Sequence, residues 1–187
     1  ADKSKHRTPI AGADDGASGV GVLLEIARQI GQKQPDAGVD IAFFDAEDYG
    51  APYWSRSTDE ETWALGSQYW ARHPHKPGYR ARFGILLDMV GGAGAQFRQE
   101  QFSEYYASGL VKQVWNTAKR LGYGHYFIEE AGGYVNDDHL YVNRYGIPSI
   151  DIIPCYHDTE SGFPAYWHTV DDTMKNIDRA TLKAVGQ

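Results

Sequence analysis

Acidic side chains and one histidine stand in this sequence where they could bind a metal ion or transfer a proton. Asp14 and Asp15 lie in a glycine-rich turn, Gly12 to Gly19, directly before a helical pattern. One aspartate would suffice to cap a helix, so a further role for the pair is an equally good interpretation. Glu47 and Asp48 are adjacent, and their side chains should therefore diverge. One could ligate a metal while the other faces a substrate as a base, although a solvated loop is the usual explanation for such a pair.

Asp88 and the pair Asp137 and Asp138 are further carboxylates in informative surroundings. Asp88 lies between two apolar stretches and should be at least partly buried, so it needs hydrogen-bond donors or a cation. We expect it to be a metal ligand or to lie beside one. Asp137 and Asp138 precede His139 at a predicted helix start, where they could cap the helix while His139 packs. The same cluster also brings two carboxylates and an imidazole to one place.

The segment from Trp167 to Asp172 gives the sharpest local signal, because Trp-His-Thr is followed there by two aspartates. Histidine is a common zinc ligand, and the carboxylates of Asp171 and Asp172 could fix the tautomer of His168. No two histidines show the His-x-x-x-His spacing of the commonest zinc proteases. Surface positions are predicted for the histidines in polar or loop contexts, which are His6, His73, His75, His125 and His157.

Apolar periodicity predicts the elements that must position these side chains. Ser18 is expected to cap a helix with one apolar face formed by Val20, Leu23, Leu24, Ala27 and Ile30. The remaining predicted elements are strands at 39–44, 83–87 and 147–153 and helices around 65–70, 110–121 and 137–145. This alternation favours a three-layer α/β fold with a largely parallel sheet. Glu47, Asp48 and Asp88 follow the carboxyl ends of strands, which is the edge where open α/β sheets bind ligands.

Composition restricts the class of protein. The chain has 187 residues, 42% of them hydrophobic, which fits one domain with a core of its own. A net charge of -7 argues against a nucleic-acid partner, because phosphates require a basic face. Cys155 is the single cysteine, so the chain forms neither an internal disulfide nor a thiolate zinc cluster. No apolar run has the length of a membrane span, and no signal peptide is recognisable.

Taken in order, these motifs resemble the zinc aminopeptidase superfamily from about Pro9 to the end of the chain. Within it, the sequence is most similar to the glutaminyl-peptide cyclotransferases (glutaminyl cyclases), especially those of Bacteroidetes-type bacteria. The motifs are Gly-Ala-Asp-Asp-Gly-Ala-Ser-Gly at Asp15, Phe-Asp-Ala-Glu-Asp at Asp48, Leu-Leu-Asp-Met at Asp88, Asp-Asp-His-Leu at Asp137 and Trp-His-Thr-Val-Asp-Asp at His168. The resemblance implies a zinc exopeptidase-like sandwich with a central, mostly parallel mixed sheet, here without the family's N-terminal strands.

The resemblance also implies a role for each motif residue. The zinc ligands would be Asp15, Asp48 and His168, leaving a fourth position open as in catalytic sites. Glu47 would be the general acid and base, and Asp88 and Asp137 would be catalytic carboxylates near the reacting amide. Trp54 and Trp167 would be pocket walls, and Asp151 would bind substrate where animal cyclases carry a histidine. The implied reaction converts the N-terminal glutamine of a peptide or protein to pyroglutamate with release of ammonia.

Two other interpretations remain at this stage. In a dinuclear zinc aminopeptidase, Asp15 would bridge two zinc ions and Asp88 would join the ligands, whereas the cyclase needs one zinc ion. That site also needs a histidine from a His-x-Asp stretch that the chain does not contain. A non-catalytic binding domain of the same fold is the alternative from another class. We expect a single catalytic domain over residues 1–187, truncated at its N-terminus, and a periplasmic or secreted location implied by the resemblance.

Overall fold

The computed structural model describes residue 5, residues 7–51 and residues 60–187. Its helices are α1 (Ala17–Gln32), α2 (Leu65–Arg72), α3 (Gln101–Arg120), α4 (Asp138–Tyr145) and α5 (Arg179–Val185). Its strands are β1 (Gly84–Leu87), β2 (Phe97–Gln99), β3 (Phe127–Ala131) and β4 (Ser149–Ile152), and single 3₁₀ turns occur at Glu47–Tyr49, Glu60–Thr62 and Met174–Asn176. None of the described helices is long and apolar enough to cross a membrane.

Parallel strand pairs lie at the centre of the fold. β1 pairs with β4 in a register that places Gly84 opposite Ser149 and Leu87 opposite Ile152. β2 pairs with β3, also in parallel, and an irregularity interrupts the register between Phe97 and Gln99. The predicted α/β class with parallel pairing is therefore confirmed. So are the helices expected near α2, α3 and α4 and the strands that became β1 and β4. Sequence patterns did not predict β2 or β3, which are short.

The main core forms where α3 packs across the strands. Val111 and Trp115 on one face of α3 meet Phe97 and Phe127 from the second strand pair and Ile150 from β4. The ring centroids of Trp115 and Phe127 are 5.3 Å apart, and the indole nitrogen of Trp115 donates to the backbone carbonyl of residue 128. Burying one such side chain stabilises the fold by about 1.5–3 kcal/mol. This core holds α3 and β4 together, and both of them carry residues of the site.

Helix α1 packs through a different face from the one predicted. The buried residues are Ser18, Gly19 and Val22, whereas Val20 and Leu24 of the predicted face are 41% and 57% exposed. A Cβ atom at residue 19 would lie 2.1 Å from the carbonyl oxygen of Leu87, so only glycine allows this approach. Small side chains, rather than apolar ones, therefore select the face that meets β1. Ser18 also proves not to be the cap, because Gly16 holds that position.

The strand predicted at 39–44 is not found. No strand ladder includes this stretch within the described residues, and Val39 and Phe43 are 51% and 54% exposed. Apolar, β-branched sequences favour a strand only where a neighbouring strand accepts their backbone hydrogen bonds and packs against their side chains. The prediction was wrong because it used the sequence pattern without a pairing partner. The stretch still leads into the turn that carries Glu47 and Asp48.

Candidate metal centre and active site

Two carboxylates and one imidazole from three distant parts of the chain meet in the open cluster, which we define as Asp15, Asp48 and His168. The His168 Nε2 atom lies 2.8 Å from Asp48 Oδ1 and 3.5 Å from Asp15 Oδ2. One ligand atom from each residue lies within 4.8 Å of the others. Their side chains are 12%, 48% and 30% exposed, in the order of the chain, so the cluster faces solvent. Carboxylate oxygens and imidazole nitrogen are ligands that zinc accepts.

Asp15 is held in place by its own turn. Asp172 accepts hydrogen bonds from the backbone N–H groups of Asp14 (2.9 Å) and Asp15 (3.1 Å), and it is fully buried. Asp14 is also fully buried, and its carboxylate accepts from the Gly91 N–H at 2.8 Å and from the Tyr166 hydroxyl at 2.6 Å. Of the two adjacent aspartates, one therefore anchors the turn while the other is presented to the cluster.

Asp171 and Asp172 were expected to fix the His168 tautomer, but they make other contacts. Asp172 binds the turn that carries Asp15, and Asp171 is exposed, with its backbone carbonyl accepting from the Asn176 amide. The imidazole is instead oriented by Asp48 and by aromatic neighbours. This part of the prediction was wrong because adjacency along a loop does not decide which way a side chain points.

His168 stacks with two tryptophan rings. The Trp167 ring is 3.9 Å from the imidazole at an interplanar angle of 21°, and the Trp63 ring is 6.1 Å away and nearly parallel, at 6°. His168 has a φ of 54°, which is uncommon for a residue with a side chain and is typical of functional sites. A Cβ at residue 50 would lie 2.7 Å from Trp63, so Gly50 makes room for that ring. Phe163 packs on Trp167 at 4.8 Å, while Trp54 lies outside the described residues.

Without a cation, the negative charges of the open cluster and of Glu47 repel one another. Burial, then the charge of Asp48, raises the pKa of Asp15 to about 7. Burial, then the charges of Asp137 and Asp48, raises the pKa of Glu47 to about 11. For His168, burial alone would lower the pKa, but the hydrogen bond and charge of Asp48 outweigh it and raise it. A divalent cation would relieve this repulsion, so the residues present fit a metal ion.

A second group lies deeper, and we define the buried cluster as Glu100, Asp137, His139 and Asp151. Each of the four residues is at most 2% exposed. Burial, then the charges of Asp137 and Asp88, raises the pKa of Asp151 well above its usual value. Asp137 caps α4 by accepting from the Asp138 N–H, and burial raises its pKa although His139 opposes the rise. One carboxylate oxygen of Asp137 lies within 4.8 Å of one of Asp151.

Asp88 and Asp137 connect the two clusters. Asp88 follows β1, and its backbone N–H donates to the Ile152 carbonyl at the end of β4. Burial, then the charges of Asp137, Asp15 and Asp48, raises the pKa of Asp88 well above its usual value. The charge of Asp137 also acts on Glu47. Asp15, Glu47, Asp48, Asp88, Asp137 and Asp151 therefore belong to one connected set of interacting charges. Asp88 follows a strand as predicted, but no described strand precedes Glu47 and Asp48, so that part of the prediction was wrong.

Sequence analysis missed Glu100, whose carboxylate accepts hydrogen bonds from three different parts of the chain. It begins α3, where its carboxylate accepts from the Phe102 and Ser103 N–H groups at 2.9 and 2.6 Å. It also accepts from the Val135 N–H at 3.0 Å and faces His139 Nε2 at 3.0 Å. The only signal was an acidic residue directly before a helical pattern, and glutamate is not a favoured cap. Its full burial became evident only in three dimensions.

Comparisons with known proteins agree with this geometry. The model of peptidase family M28 matches residues 2–187. The solved Zn-dependent exopeptidase of Parabacteroides distasonis is 59% identical, with a TM-score of 0.96 over 99% of this chain and 64% of its own. The glutaminyl cyclase of Tannerella forsythia is also 59% identical, with a TM-score of 0.95 and the same coverage.

More distant relatives include both activities considered above. A solved leucine aminopeptidase precursor from Bacteroides thetaiotaomicron is 56% identical, with a TM-score of 0.93 over 100% of this chain and 63% of its own. The glutaminyl-peptide cyclotransferase of Bos taurus is 27% identical over 91% of this chain. The chain spans about half the length of that protein, 52%. Similarity along almost all of the chain, together with the family match, leads to one conclusion: the chain belongs to peptidase family M28.

Proposed function

We propose that the protein is a zinc-dependent glutaminyl-peptide cyclotransferase, which converts an N-terminal glutamine to pyroglutamate and releases ammonia. The observation that carries this proposal is the open cluster with Glu47 beside it, at the edge of the strand pair where β1 and β4 end. Support comes from the similarity to a solved glutaminyl cyclase at 59% identity. The substrates would be peptides or proteins with an N-terminal glutamine.

In this proposal Asp15, Asp48 and His168 hold one zinc ion. A bound zinc ion supplies Lewis acidity that polarises the side-chain carboxamide of the glutamine. Three protein ligands leave a position open, which is the arrangement of catalytic rather than structural zinc sites. The partly exposed side chains of the open cluster suit such a position because solvent and substrate can reach them.

Glu47 is the proposed proton carrier. The α-amine attacks its own side-chain carbonyl, so one carbon–nitrogen bond forms and the bond to the amide nitrogen breaks. Glu47 accepts a proton from the amine and donates it to the departing nitrogen, which leaves as ammonia. Without a cation its pKa is about 11, which would keep it protonated; a nearby positive charge would lower that pKa and release the base.

The remaining residues orient the substrate and the carboxyl groups. Trp167 would form one wall of the pocket, as the sequence predicted. Asp88 and Asp137 would hold the amide nitrogen through hydrogen bonds. Asp151 was predicted to bind substrate directly, but its side chain is completely buried. We therefore place it beneath the pocket, where it supports Asp137.

The experiment compares two peptides with the same enzyme preparation, carrying about one equivalent of zinc. Ammonia release and pyroglutamate formation from a Gln-initiated peptide are expected. A Leu-initiated peptide should release no free leucine. Leucine release without pyroglutamate would overturn the proposal and favour an aminopeptidase. Zinc content per chain gives an independent measure, because one ion is expected for the cyclase and two for the aminopeptidase.

The location that the resemblance implies is also part of the proposal. Glutaminyl cyclases of this bacterial type are expected to act in the periplasm or outside the cell. Fractionation of the source cells, followed by immunodetection of the protein, tests it. Detection in the cytoplasmic fraction alone would contradict a periplasmic or secreted enzyme.

A further inference from the structure

Glu100 is a carboxylate whose contacts are all with donors. It accepts from the backbone N–H groups of Phe102, Ser103 and Val135 and from the Ser103 hydroxyl at 2.7 Å. Burial alone would raise its pKa, but the hydrogen bonds from His139, Phe102 and Ser103 lower it. An ionised carboxylate only accepts hydrogen bonds, so the Nε2 atom of His139, at 3.0 Å, must carry a hydrogen.

The other side of the same imidazole faces Asp151. His139 Nδ1 lies 3.8 Å from Asp151 Oδ2, which is too long for a hydrogen bond. The Nδ1 atom, both Asp151 carboxyl oxygens and Asp137 Oδ2 are buried without a hydrogen-bond partner. Buried polar groups are rarely left unsatisfied, because each costs about 1–3 kcal/mol. A shared proton would satisfy several of these atoms at once, and burial raises the pKa of Asp151 well above its usual value.

We propose that His139 is a positioning residue: with Nε2 fixed on Glu100, its Nδ1 holds Asp151, and through it Asp137, in place beside Glu47 and Asp88. The proposal rests on the proposed cyclase function, because Glu47 is the group that benefits. The titratable groups that face this ring or its partner are Glu100 from α3, Asp151 from β4, Asp137 from the start of α4, Asp88 after β1 and Cys155 after β4. His139 itself does not touch substrate, so it acts through the carboxyl groups.

The backbone supports this role for the ring. The Ser103 hydroxyl donates to Glu100 and accepts from the Asp151 backbone N–H at 2.9 Å, so Glu100 and β4 are joined by a second route. The side-chain amide of Asn143, one turn further along α4, donates hydrogen bonds to the carbonyls of His139 and Ser149. It also accepts a hydrogen bond from the Ser149 N–H. Helix α4 is thereby fixed against β4. The imidazole has little freedom to leave the space between Glu100 and Asp151.

A metal ion is the competing occupant of this space. Asp137, His139 and Asp151 each offer an atom within 4.8 Å of the others. Protons account for the same unpartnered atoms, because a protonated carboxyl group is both donor and acceptor. The two explanations differ in metal content, so the test below measures it.

Substitutions can remove the contacts of the two imidazole nitrogens one at a time. The amide nitrogen of glutamine is as many bonds from Cα as His139 Nε2, so His139→Gln can keep the Glu100 contact and lose the Asp151 contact. Asparagine carries a polar atom at the Nδ1 distance, so His139→Asn does the reverse. Both variants keep one polar partner in the core. Asn143→Ala is the matched control, because it weakens the same helix without changing the ring.

The experiment measures kcat, KM and the pH profile of glutamine cyclisation, with melting temperature and zinc content for every variant. We expect kcat of His139→Gln to fall by about 10- to 100-fold, which is the usual loss when a residue that orients an active group is removed. KM should stay within about twofold of the wild-type value. The alkaline limb of its kcat profile should move to lower pH, because Asp151 loses the acceptor for its proton. His139→Asn should lose kcat as well and melt at a lower temperature than His139→Gln.

Several results would overturn the proposal. One is a His139→Gln enzyme with unchanged kcat and pH profile, and another is an Asn143→Ala enzyme that reproduces the shifted profile. Loss of a second metal ion from His139→Gln would show a cation in place of the proton. Wild-type protein without cyclase activity would instead refute the proposed function. In that case long-range ¹H–¹⁵N spectra of the labelled protein still test the link, which requires a hydrogen on Nε2 and none on Nδ1.

Discussion

The open cluster and the buried cluster contain the same kinds of side chain and resolve their charges in opposite ways. The open cluster has two carboxylates and an imidazole on loops, with side chains 12% to 48% exposed. The buried cluster is built on α3, α4 and β4, and its four residues are at most 2% exposed. The first can recruit a cation from solution, whereas in our proposal the second is satisfied by backbone donors and shared protons. Exposure, rather than composition, separates metal chemistry from proton chemistry here.

Removing the proton carrier between the two clusters should have the largest effect. For Glu47→Gln we expect kcat to fall by about 10²- to 10⁴-fold, because proton transfer by a positioned group contributes that much. Zinc content should stay at the wild-type value, since Glu47 is not a proposed ligand. Loss of zinc from this variant would reverse the roles assigned to Glu47 and Asp48.

The next largest effect is expected on metal affinity. His168→Ala removes the imidazole that lies 2.8 Å from Asp48, and we expect zinc affinity to fall by more than about 100-fold, beyond the loss typical of outer partners. Titration against a zinc-selective competitor measures this change. His73→Ala, an exposed histidine at the end of α2, is the control and should bind zinc like wild type. Equal affinities in the two variants would place the zinc ion elsewhere.

The clusters also predict an unusual dependence of stability on pH. In the metal-free protein the pKa of Asp15 is raised to about 7 and that of Glu47 to about 11, from ordinary values of 3.8 and 4.5. A raised carboxyl pKa means that the folded state binds more protons than the unfolded state, so stability is present at low pH and is lost as pH rises. The melting temperature with chelator should therefore fall between pH 5 and 8.

Zinc should reverse this trend, because it binds the ionised carboxylates and its affinity rises as they lose protons. Calorimetry at pH 5, 6, 7 and 8, with chelator and with zinc, measures both curves. The gain in melting temperature on adding zinc should increase with pH. A chelated protein that becomes more stable from pH 5 to pH 8 would contradict the assigned shifts. Asp15→Asn should flatten the slope of the chelated curve.

The smallest effect is expected at the aromatic face of His168. Trp63→Leu removes the ring parallel to the imidazole, and an aromatic pair contributes about 0.5–1.5 kcal/mol. Zinc affinity should accordingly fall by roughly two- to tenfold. Trp63→Phe keeps an aromatic ring and should recover most of the affinity. If Trp63→Phe and Trp63→Leu bind zinc equally weakly, the indole makes a contact other than stacking.

Much of the fold could be predicted from local patterns. The strand that became β1 is an apolar run bounded by Arg82 and Asp88, β4 is rich in isoleucine, and α3 has apolar residues at helical spacing, so each pattern is complete within a short window. The stretch at 39–44 has the same local pattern but no ladder. The buried face of α1 was also missed, because Gly19 reaches β1 by lacking a side chain. Both failures have the same cause: the structure of each segment depends on the segment packed against it, which the local sequence does not specify.

The sequence by itself determined which chemical groups could bind a metal ion or carry a proton: Asp15, Glu47, Asp48, Asp88, Asp137 and His168 were all recognised from type, order and position. Only the tertiary structure decided how they are supported. Asp172 reaches Asp14 across 158 positions, and Glu100 reaches His139 across 39. Contacts of this kind depend on the path of the whole chain, and burial then decides whether a carboxylate keeps its charge. The proposed metal ligands were therefore visible in the sequence, and the contacts that Glu100 and Asp172 make were not.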